Sequence, residues 1–517
     1  MENHSFSDNK WLTLFVVLIG TFMAILDTSI VNIAIPKMMQ VFAVGTDQIQ
    51  WVLTGYMLVM GVVIPVTGYL GDTYGYKRLY LAALFFFTLG SALCGFAWSN
   101  NSMVAARVVQ AIGGGMMMPA SMTIIFNTFP KEERGTALGI WGIAMMVAPA
   151  IGPTLSGYLV EYLNWRLIFT INLPIGLIGM VLALFFLRES PRKKHAEFDF
   201  PGFITSAVGF FTLLLALTKG TDWGWSSTKT LFLFWLSALS LVFFVYFELT
   251  SPEPLLELRV LTNPTFSMSL IITMINTIGL FGGLFLFPIF FENLRGYPPM
   301  DTGLIMLPAA LASGIVMPIS GRLFDKIGAK PLVITGLTLA VISSFELSKM
   351  NIMTPIIWLQ TMMILRSIGM GFSMMPLNTA GMNALPQHLV GRASALNNVI
   401  RQVSGSLGVA IITTIVQNRE ALHIVRMAEG LNQNSPAFNQ VVNFLKAGLS
   451  QMGVGPLEAM KGAPAIIGMN LYKVAMSSAI SDALLVTAGI TVAGVILTFF
   501  LKEEPKGEKE TVPVGEF

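Results

Sequence analysis

Residues 26–36 read Leu-Asp-Thr-Ser-Ile-Val-Asn-Ile-Ala-Ile-Pro and close the first long apolar segment of the chain, which begins near Trp11. A helix rises about 1.5 Å per residue, so Asp27 is expected roughly 24 Å beyond Trp11. The hydrocarbon core of a bilayer is about 30 Å thick, which places Asp27 inside a membrane and past its middle. Inserting an ionisable side chain there costs at least about 2.5 kcal/mol. Asp27 is therefore a candidate functional residue, and it needs a polar partner.

The composition of the whole chain is that of a membrane protein. Of its 517 residues, 54% are hydrophobic and only 11% are charged, with a formal net charge of +3. Soluble domains carry about 25% charged residues. The one cysteine, Cys94, lies in an apolar run and is expected to be a small buried side chain. We therefore expect an all-α integral membrane protein.

Fourteen apolar segments are long enough to cross a bilayer as helices. They lie at about 11–35, 48–71, 79–98, 102–127, 135–160, 166–187, 200–219, 229–250, 265–291, 301–321, 331–349, 355–378, 394–418 and 478–501. An even number of spans puts both termini on one side. With the N-terminus inside, the inner segments hold seventeen Lys and Arg residues and the short outer loops hold six. This excess predicts cytoplasmic termini.

The two halves of the chain repeat each other. Residues 68–77 (GYLGDTYGYK) and 321–330 (GRLFDKIGAK) share Gly, Leu, Asp, Gly and Lys at the same spacing, and each copy follows a span. Parallel repeats predict two helical bundles around a central path. The predicted organisation is an N-terminal six-helix bundle at 1–190, two inserted helices at 191–258, a C-terminal six-helix bundle at 259–501 with an external loop at 419–475, and a cytoplasmic tail at 502–517.

The external loop 419–475 is long for a connection between two spans. It contains Val441, Val442, Phe444 and Leu445, and a disordered spacer needs no such apolar content. We interpret the loop as a partly helical cap or docking surface, with a disordered spacer as the alternative.

Five segments resemble signatures of the major facilitator superfamily, and more narrowly of its fourteen-helix drug:proton antiporters of the EmrB and QacA type. They are residues 26–36, 68–78, 107–115, 142–157 and 164–176. The resemblance implies the major facilitator fold, with two six-helix bundles plus two inserted helices, in a bacterial cytoplasmic membrane. The sequence from Gln417 onward is more similar to EmrB, which makes an extracytoplasmic adaptor protein a candidate partner.

Asp27 and Arg107 form the centre of the expected site. A low dielectric disfavours the charged form of a carboxyl, so Asp27 is expected to exchange protons and, when ionised, to attract cationic compounds. Arg107 lies at a matching depth in the fourth span, and pairing offsets the cost of burying both charges. Asn32 and Gln110 are expected to belong to the same site. The alternatives are a structural hydrogen bond for Asp27 and an Arg107 side chain that extends to the membrane surface.

Two further polar residues inside spans are candidates for proton coupling or substrate contact. Glu346 lies a few residues inside the end of its span, and Arg401 lies about two turns from the inner end of its own. A loop-exposed carboxylate and a structural arginine are the respective alternatives.

The loop after the second span is expected to act as a gate, because in the superfamily its charge cluster latches the cytoplasmic side. This sequence has Thr73 and Tyr76 where basic residues are common, so the latch is expected to be weaker or to rely on the two cations that follow. A solvated charge cluster is the alternative. The predicted gating residues, with one from the second repeat, are Gly68, Asp72, Gly75, Lys77, Arg78 and Asp325.

The fifth span resembles the antiporter motif of the family. Glycines in such a motif allow helices to approach closely, and prolines kink the span. The motif is therefore expected to seal the two halves against each other. Its residues are Gly142, Pro149, Gly152, Pro153 and Gly157.

Together these features predict a proton-coupled multidrug efflux antiporter that works by alternating access and confers antibiotic resistance. The expected substrates are small amphipathic or lipophilic compounds, cationic ones in particular, and the expected partners are protons and the lipid bilayer. No cofactor besides the proton gradient is expected, and ATP is not indicated because no nucleotide-binding glycine loop occurs. No nucleic acid is expected as a partner. Export of a specific metabolite or lipid is the alternative. A membrane-embedded enzyme is disfavoured because all four histidines fall in predicted loops or the tail. A non-transporting sensor or scaffold is disfavoured by the repeated gating motif and the buried Asp27.

Overall fold

The computed structural model describes residues 10–192, 198–430, 436–453 and 455–502. Within these residues, fourteen helices are long and apolar enough to cross a membrane, which confirms the predicted fold class. They are α1 (Lys10–Phe42), α2 (Thr46–Tyr74), α3 (Tyr76–Gly95), α4 (Asn100–Thr128), α5 (Lys131–Tyr162), α6 (Leu167–Phe186), α7 (Phe200–Trp223), α8 (Thr228–Thr250), α9 (Pro264–Leu294), α10 (Pro299–Ile327), α11 (Lys330–Leu347), α12 (Ile356–Asn383), α13 (Gln387–Glu429) and α14 (Met460–Thr498). The predicted tail, apart from Lys502, lies outside the described residues.

Helices α1 to α6 pack against one another, as do α9 to α14; we call these groups the N lobe and the C lobe. Both described ends of the chain lie at one face of the membrane, here called the terminal face. At this face the Lys10 ammonium lies 2.5 Å from the Glu133 carboxylate, and Thr265 donates a hydrogen bond to the carbonyl of Lys502 at 3.0 Å. An even number of spans thus brings both ends together.

The sequence repeat forms the same turn in both lobes. Gly75 separates α2 from α3 with a φ of 96°, and Gly328 separates α10 from α11 with a φ of 85°. Side chains with a Cβ rarely adopt such backbone angles, whereas glycine does so at little cost. The shared glycine of the repeat therefore makes the tight turn at the terminal face in each lobe.

Helices α5 and α10 form the longest contact between the lobes. A Cβ added at Gly139 would lie 2.5 Å from the carbonyl oxygen of Met317, and one added at Gly321 would lie 2.0 Å from that of Gly135. The two backbones therefore touch directly. Towards the opposite face, the backbone of Gly157 approaches Met300. Small residues along α5 permit this close packing over its whole length.

The inserted helices α7 and α8 lie at the side of the molecule where α2 faces α13. Helix α7 packs on both of these helices. Lys219 donates to the side-chain oxygen of Gln50 in the N lobe, and Trp225, just after α7, donates to Thr414 in the C lobe at 2.9 Å. Helix α8 packs mainly on α7 and exposes most of its apolar side chains. The inserted pair thus bridges the lobes.

The expected external loop 419–475 is largely helical. The continuous α-helix of the thirteenth span is Val390–Gly430, 41 residues, and the α-helix of the fourteenth span begins at Pro456. At about 1.5 Å per residue the first of these is roughly 60 Å long, twice the hydrocarbon thickness. Between them lies a separate helix, Pro436–Gln451, here called the loop helix. The helices therefore continue past the predicted span ends at 418 and 478 into the segment that was expected to be partly helical.

Candidate functional site

The carboxylate of Asp27 lies in a closed polar network inside the N lobe. Asp27 is only 1% exposed and pairs with Nη1 of Arg107 on α4. Gln110 donates to its Oδ1 at 2.8 Å, and Asn172 on α6 donates to the same oxygen at 3.3 Å. The carboxylate therefore has a charged partner and two amide donors, which compensates its removal from water.

Arg107 is held from several sides. Its Nη1 also donates to the side-chain oxygen of Gln110 at 2.7 Å, and its Nε donates to the carbonyl of Val52 on α2 at 3.2 Å. The guanidinium carbon lies 4.0 Å from the ring centroid of Tyr56, a cation–π distance. At 1% exposure the side chain is sealed from solvent. It is a buried partner of Asp27 and does not extend to the membrane surface.

Three other predicted site residues lie elsewhere. Asn32 is exposed on α1 and donates to the carbonyl of Thr28 at 3.4 Å, since a step of five residues along a helix turns it away from Asp27. Glu346 lies at the end of α11 and pairs with Lys349 at 2.6 Å, with 37% of its side chain exposed. Arg401 belongs to the C lobe. None of the three joins the Asp27 network.

Asn172 and Ser91 were not among the predicted site residues. Ser91 on α3 accepts a hydrogen bond from Gln110 at 2.8 Å, and Asn172 lies within reach of the same hydroxyl at 3.4 Å. Asn172 lies within residues 164–176, which resemble a family signature. A polar amide in an apolar span could therefore have indicated that Asn172 belongs to the site. Ser91 offered none, because small hydroxyls are common in membrane helices.

A second cluster closes the terminal face between the lobes, and Arg392 on α13 is its centre. This arginine is 2% exposed. Its guanidinium lies 3.4 Å from Asp72 on α2, 2.8 Å from Glu253 and 3.3 Å from Glu257. The two glutamates belong to the linker between α8 and α9. We call these four residues the Arg392 gate.

Lys77 and Arg78, two of the predicted gating residues, contact other groups of the N lobe. Lys77 donates from Nζ to the carbonyl of Leu184 at 2.6 Å, and Arg78 lies 3.6 Å from the Glu189 carboxylate. Both contacts stay within the N lobe. The Asp72 carboxylate instead accepts a hydrogen bond from Tyr76 at 3.2 Å in addition to its pairing across the lobes.

The linker that carries the two gate glutamates is anchored by Glu248. This carboxylate at the end of α8 is fully buried and accepts hydrogen bonds from the backbone N–H groups of Leu255 and Leu256, both at 3.1 Å. Two backbone donors satisfy a carboxylate that would otherwise be costly to bury. The anchor folds the linker back beneath α13, so that its carboxylates reach Arg392.

The second copy of the repeat makes a different contact across the lobes. Asp325 at the end of α10 accepts hydrogen bonds from the N–H groups of Gly135 and Thr136, at 3.2 and 3.1 Å. These groups belong to the first turn of an α-helical segment in α5, where a carboxylate is favoured by the helix dipole. Nearby, Arg134 donates to Asn383 of the C lobe at 3.0 Å. Two unlike contacts thus hold the terminal face closed.

The glycines of the fifth-span motif pack against both lobes. A Cβ at Gly142 would meet the sulfur of Met317 at 2.7 Å, and one at Gly152 would meet Ser29 of α1 at 2.5 Å. Ser29 also donates to the carbonyl of Pro149 at 3.0 Å. Pro153 lies against Gly303 of α10. The motif therefore joins α5 to α10 and, in addition, to α1 of its own lobe.

Gly68 also permits close approach, here in the gate, since a Cβ there would lie 3.0 Å from the Cα of Arg392.

A small cavity lies between the lobes at the middle of the molecule, lined by Met146 of α5 and by residues of α9 and α12. Its other lining residues are Thr273, Asn276, Thr277, Leu280, Met370 and Met374. Among the described residues, no group of three or more His, Cys, Asp or Glu side chains is placed to hold a metal ion.

Two lobes of membrane helices that carry a parallel sequence repeat and meet through ion pairs and hydrogen bonds at one face are the architecture of a secondary transporter. A family model for the Major Facilitator Superfamily matches residues 17–409, more than half of the chain. The chain belongs to this superfamily.

Two relatives and one solved structure illustrate the similarity. The chain is 38% identical to the MFS-type transporter YhcA of Bacillus subtilis over 502 residues, which cover 96% of this chain and 94% of the relative. It is 32% identical to the multidrug resistance protein Stp of Mycobacterium tuberculosis over 406 residues, 78% of this chain and 75% of the relative. The proton:xylose symporter XylE matches with a TM-score of 0.60 and 13% identity over 96% of each chain, a likeness of fold alone.

Proposed function

We propose that this chain is a proton-coupled antiporter that exports amphipathic, lipophilic drugs by alternating access. The observation that carries the proposal is the buried Asp27–Arg107 pair, because intramembrane carboxylates that pair with a cation are typical of proton relays. The family and the name of the relative Stp support drug efflux. The narrower resemblance to EmrB and QacA antiporters supports exchange with protons.

The proposed coupling follows from the contacts of Asp27. Protonation removes the negative charge that Arg107 faces, and it converts one carboxylate oxygen from an acceptor into a donor. Either oxygen that takes the proton loses a donor, since Oδ2 accepts from Arg107 and Oδ1 accepts from Gln110 and Asn172, so part of the network has to rearrange. A change in the packing of α1, α4 and α6 is the consequence, and this is the movement that we couple to opening of one face.

The Arg392 gate and the Asp325 contacts supply the second part of the cycle. Both hold the lobes together at the terminal face, so the described arrangement has this face closed. We propose that the terminal face is cytoplasmic, as the excess of basic residues predicts, and that the membrane is the bacterial cytoplasmic one. Outward release then takes place with this gate closed.

The expected preference for cationic compounds stays a prediction. A preference for cations would require a carboxylate that the substrate can reach, whereas Asp27 is enclosed by its hydrogen-bond partners and is 1% exposed. The proposal therefore concerns amphipathic compounds without a required charge. An extracytoplasmic adaptor also stays a prediction, for which the loop helix and the extended α13 and α14 offer an external surface. Export of one specific metabolite or lipid remains the alternative function.

The test is drug-triggered proton release from the purified protein, measured in weakly buffered detergent solution with a pH-sensitive dye. The probes are ethidium and tetraphenylphosphonium as cations and pyrenebutanol as a neutral compound. We expect release from the wild type and none from Asp27→Asn. The matched control is Glu346→Gln, which removes a surface carboxylate and is expected to behave as the wild type. Proton release from Asp27→Asn at the wild-type level would show that another group carries the proton.

A response to a single compound in a wider panel would favour the specific exporter over the multidrug transporter. Responses to compounds of unrelated structure would favour multidrug efflux. This comparison uses the wild type only, so it does not depend on the folding of any variant.

A further inference from the structure

The middle of the molecule has more positive than negative charge. Three carboxylates are buried among the described residues, Asp27, Glu248 and Glu257, and the two glutamates lie at the terminal face. Asp27 is already neutralised by its arginine. Two further arginines of the C lobe, Arg366 and Arg401, lie within spans, and in the described part of the chain no carboxylate pairs with either.

Arg366 is satisfied within its own lobe. Its Nε donates to the hydroxyl of Ser344 at 3.1 Å, and its Nη2 donates to the carbonyl of Gly279. The guanidinium carbon lies 5.7 Å from the ring centroid of Phe287, and the side chain is 5% exposed. Arg366 is the counterpart in α12 of Arg107 in α4. In the N lobe the arginine faces the carboxylate of Asp27, whereas in the C lobe Arg366 faces Gly283, which has no side chain.

Arg401 differs because its donors lack a strong acceptor. The side chain is only partly buried, and its contact is with the sulfur of Met145 on α5, 3.6 Å from Nη1. Thioether sulfur is a weak acceptor, and a guanidinium has five N–H donors. Arg401 thus extends from α13 of the C lobe to α5 of the N lobe and retains unused donors.

Arg401 contacts α5 one residue before a residue that lines the central cavity. It lies 11 residues after Val390, the start of its α-helix, which is about 16 Å along the helix axis and near the middle of a bilayer. Met145, its contact, directly precedes Met146, which lines the cavity. A guanidinium without a counter-ion is costly inside a membrane, and an anionic group that reaches Arg401 between the lobes would lower that cost.

We propose that Arg401 recognises an acidic group, a carboxylate or phosphate, on an amphipathic compound whose apolar part lies against the methionines between the lobes, Met145 and Met146 among them. The planar guanidinium suits such groups, since it donates two parallel hydrogen bonds to them. Methionine side chains adapt to apolar bodies of different shape. This inference rests on the proposed function for the claim that the bound compound is a substrate, whereas the binding itself is independent of proton coupling.

The test uses three probes that share one apolar body: pyrenebutyrate, pyrenebutanol and pyrenebutylamine. Their dissociation constants are measured by pyrene fluorescence on the full-length protein in phosphatidylcholine nanodiscs. We expect the wild type to bind the acid at least about tenfold more tightly than the alcohol, as charge-assisted hydrogen bonds contribute about that factor. Equal binding of the acid and the alcohol by the wild type would overturn the proposal, and this comparison needs no variant.

Arg401→Gln is expected to bind the acid and the alcohol equally, and Arg401→Lys is expected to retain part of the preference. The matched control is Arg419→Gln, which removes an arginine of the same helix that lies outside the central region and pairs with Asp482. It is expected to keep the full preference. A full preference for the acid in Arg401→Gln, with a melting temperature like that of the wild type, would refute the assignment.

A second lipid composition distinguishes two sources of the same chemistry. If phosphatidylglycerol nanodiscs weaken binding of pyrenebutyrate to the wild type and not to Arg401→Gln, the acidic group that Arg401 takes includes a lipid headgroup. Unchanged binding assigns Arg401 to free amphipathic acids. Failure of proton release in the earlier experiment would refute antiport and leave this binding result standing, so the two proposals can fail separately.

Discussion

Arg392 of the C lobe and Asp72 of the N lobe form an ion pair across the terminal face, with Nε and Oδ2 separated by 3.4 Å. Glu253 and Glu257 complete the surroundings of the guanidinium. Removing one partner of a buried charge cluster costs about 3–5 kcal/mol. Arg392→Gln is therefore expected to shift the molecule towards an open terminal face.

A cysteine at position 394 can report this opening. Ser394 is fully buried and donates to the carbonyl of Pro119 across the lobes at 3.2 Å. In a Ser394→Cys background, Arg392→Gln is expected to raise the rate of labelling by a membrane-impermeant maleimide at least about tenfold. Arg322→Gln, an exposed arginine of the same face, serves as the control. Equal labelling rates in the two variants would contradict the role of the gate.

Arg107 is expected to tolerate no replacement by lysine. The guanidinium uses Nε for Val52 and Nη1 for Asp27 and Gln110, and a single ammonium cannot occupy both positions. Arg107→Lys should lower transport in proteoliposomes at least about tenfold although the charge is kept. Arg419→Lys, at a half-exposed ion pair, should transport normally. Full activity of Arg107→Lys would show that charge alone suffices.

Gly139 and Gly142 are one turn apart on α5 but are expected to differ in their tolerance of a methyl group. A Cβ at Gly139 meets the backbone of Met317 and Pro318, whereas one at Gly142 meets flexible methionine side chains. Gly139→Ala is expected to cost about 1–3 kcal/mol by overpacking and to lower the melting temperature more than Gly142→Ala. Gly489→Ala, where nothing lies within 4 Å, is the control. A reversed order would mean that α5 and α10 pack differently.

The loop helix is expected to depend on its buried face. Val442 is 8% exposed and Phe444 is 79% exposed, and Leu449 approaches Gly462 of the neighbouring helix. Val442→Asp would bury a charge at a cost of at least about 2 kcal/mol and is expected to release the helix. Hydrogen exchange over residues 436–451 should accelerate in this variant and stay slow in Phe444→Asp. Equal rates of hydrogen exchange in the two variants would show that the loop helix does not pack against the neighbouring helix through Val442.

The fold was largely predictable because its signals are local. Hydropathy located all fourteen spans, and the repeated Gly, Asp and Lys spacing indicated two related lobes. The partnership of Asp27, Arg107 and Gln110 could also be predicted, because two opposite charges at one depth of a membrane have few other ways to be satisfied. The equal depths of Asp27 and Arg107 in the membrane followed from counting residues along α1 and α4.

Other contacts could not be predicted because they depend on tertiary packing between distant segments. Arg392 meets Asp72 across more than three hundred residues of sequence, and nothing in the sequence around Arg392 indicates this partner. The linker glutamates reach it because Glu248 folds the chain back. Partly helical structure in 419–475 was expected, but its continuity with the thirteenth span in one helix of 41 residues was not, because hydropathy reports only the apolar part of a helix.

Glu257 has a backbone φ of 50°, in the left-handed region that residues with a Cβ seldom adopt. Such a conformation costs about 1–3 kcal/mol, and in the closed gate its carboxylate is held by Arg392. When the pair separates, the linker is free to return to an ordinary conformation. Relief of this strain is expected to offset part of the cost of separating Arg392 from Glu257, so the linker that fastens the closed face also lowers the free energy needed to open it.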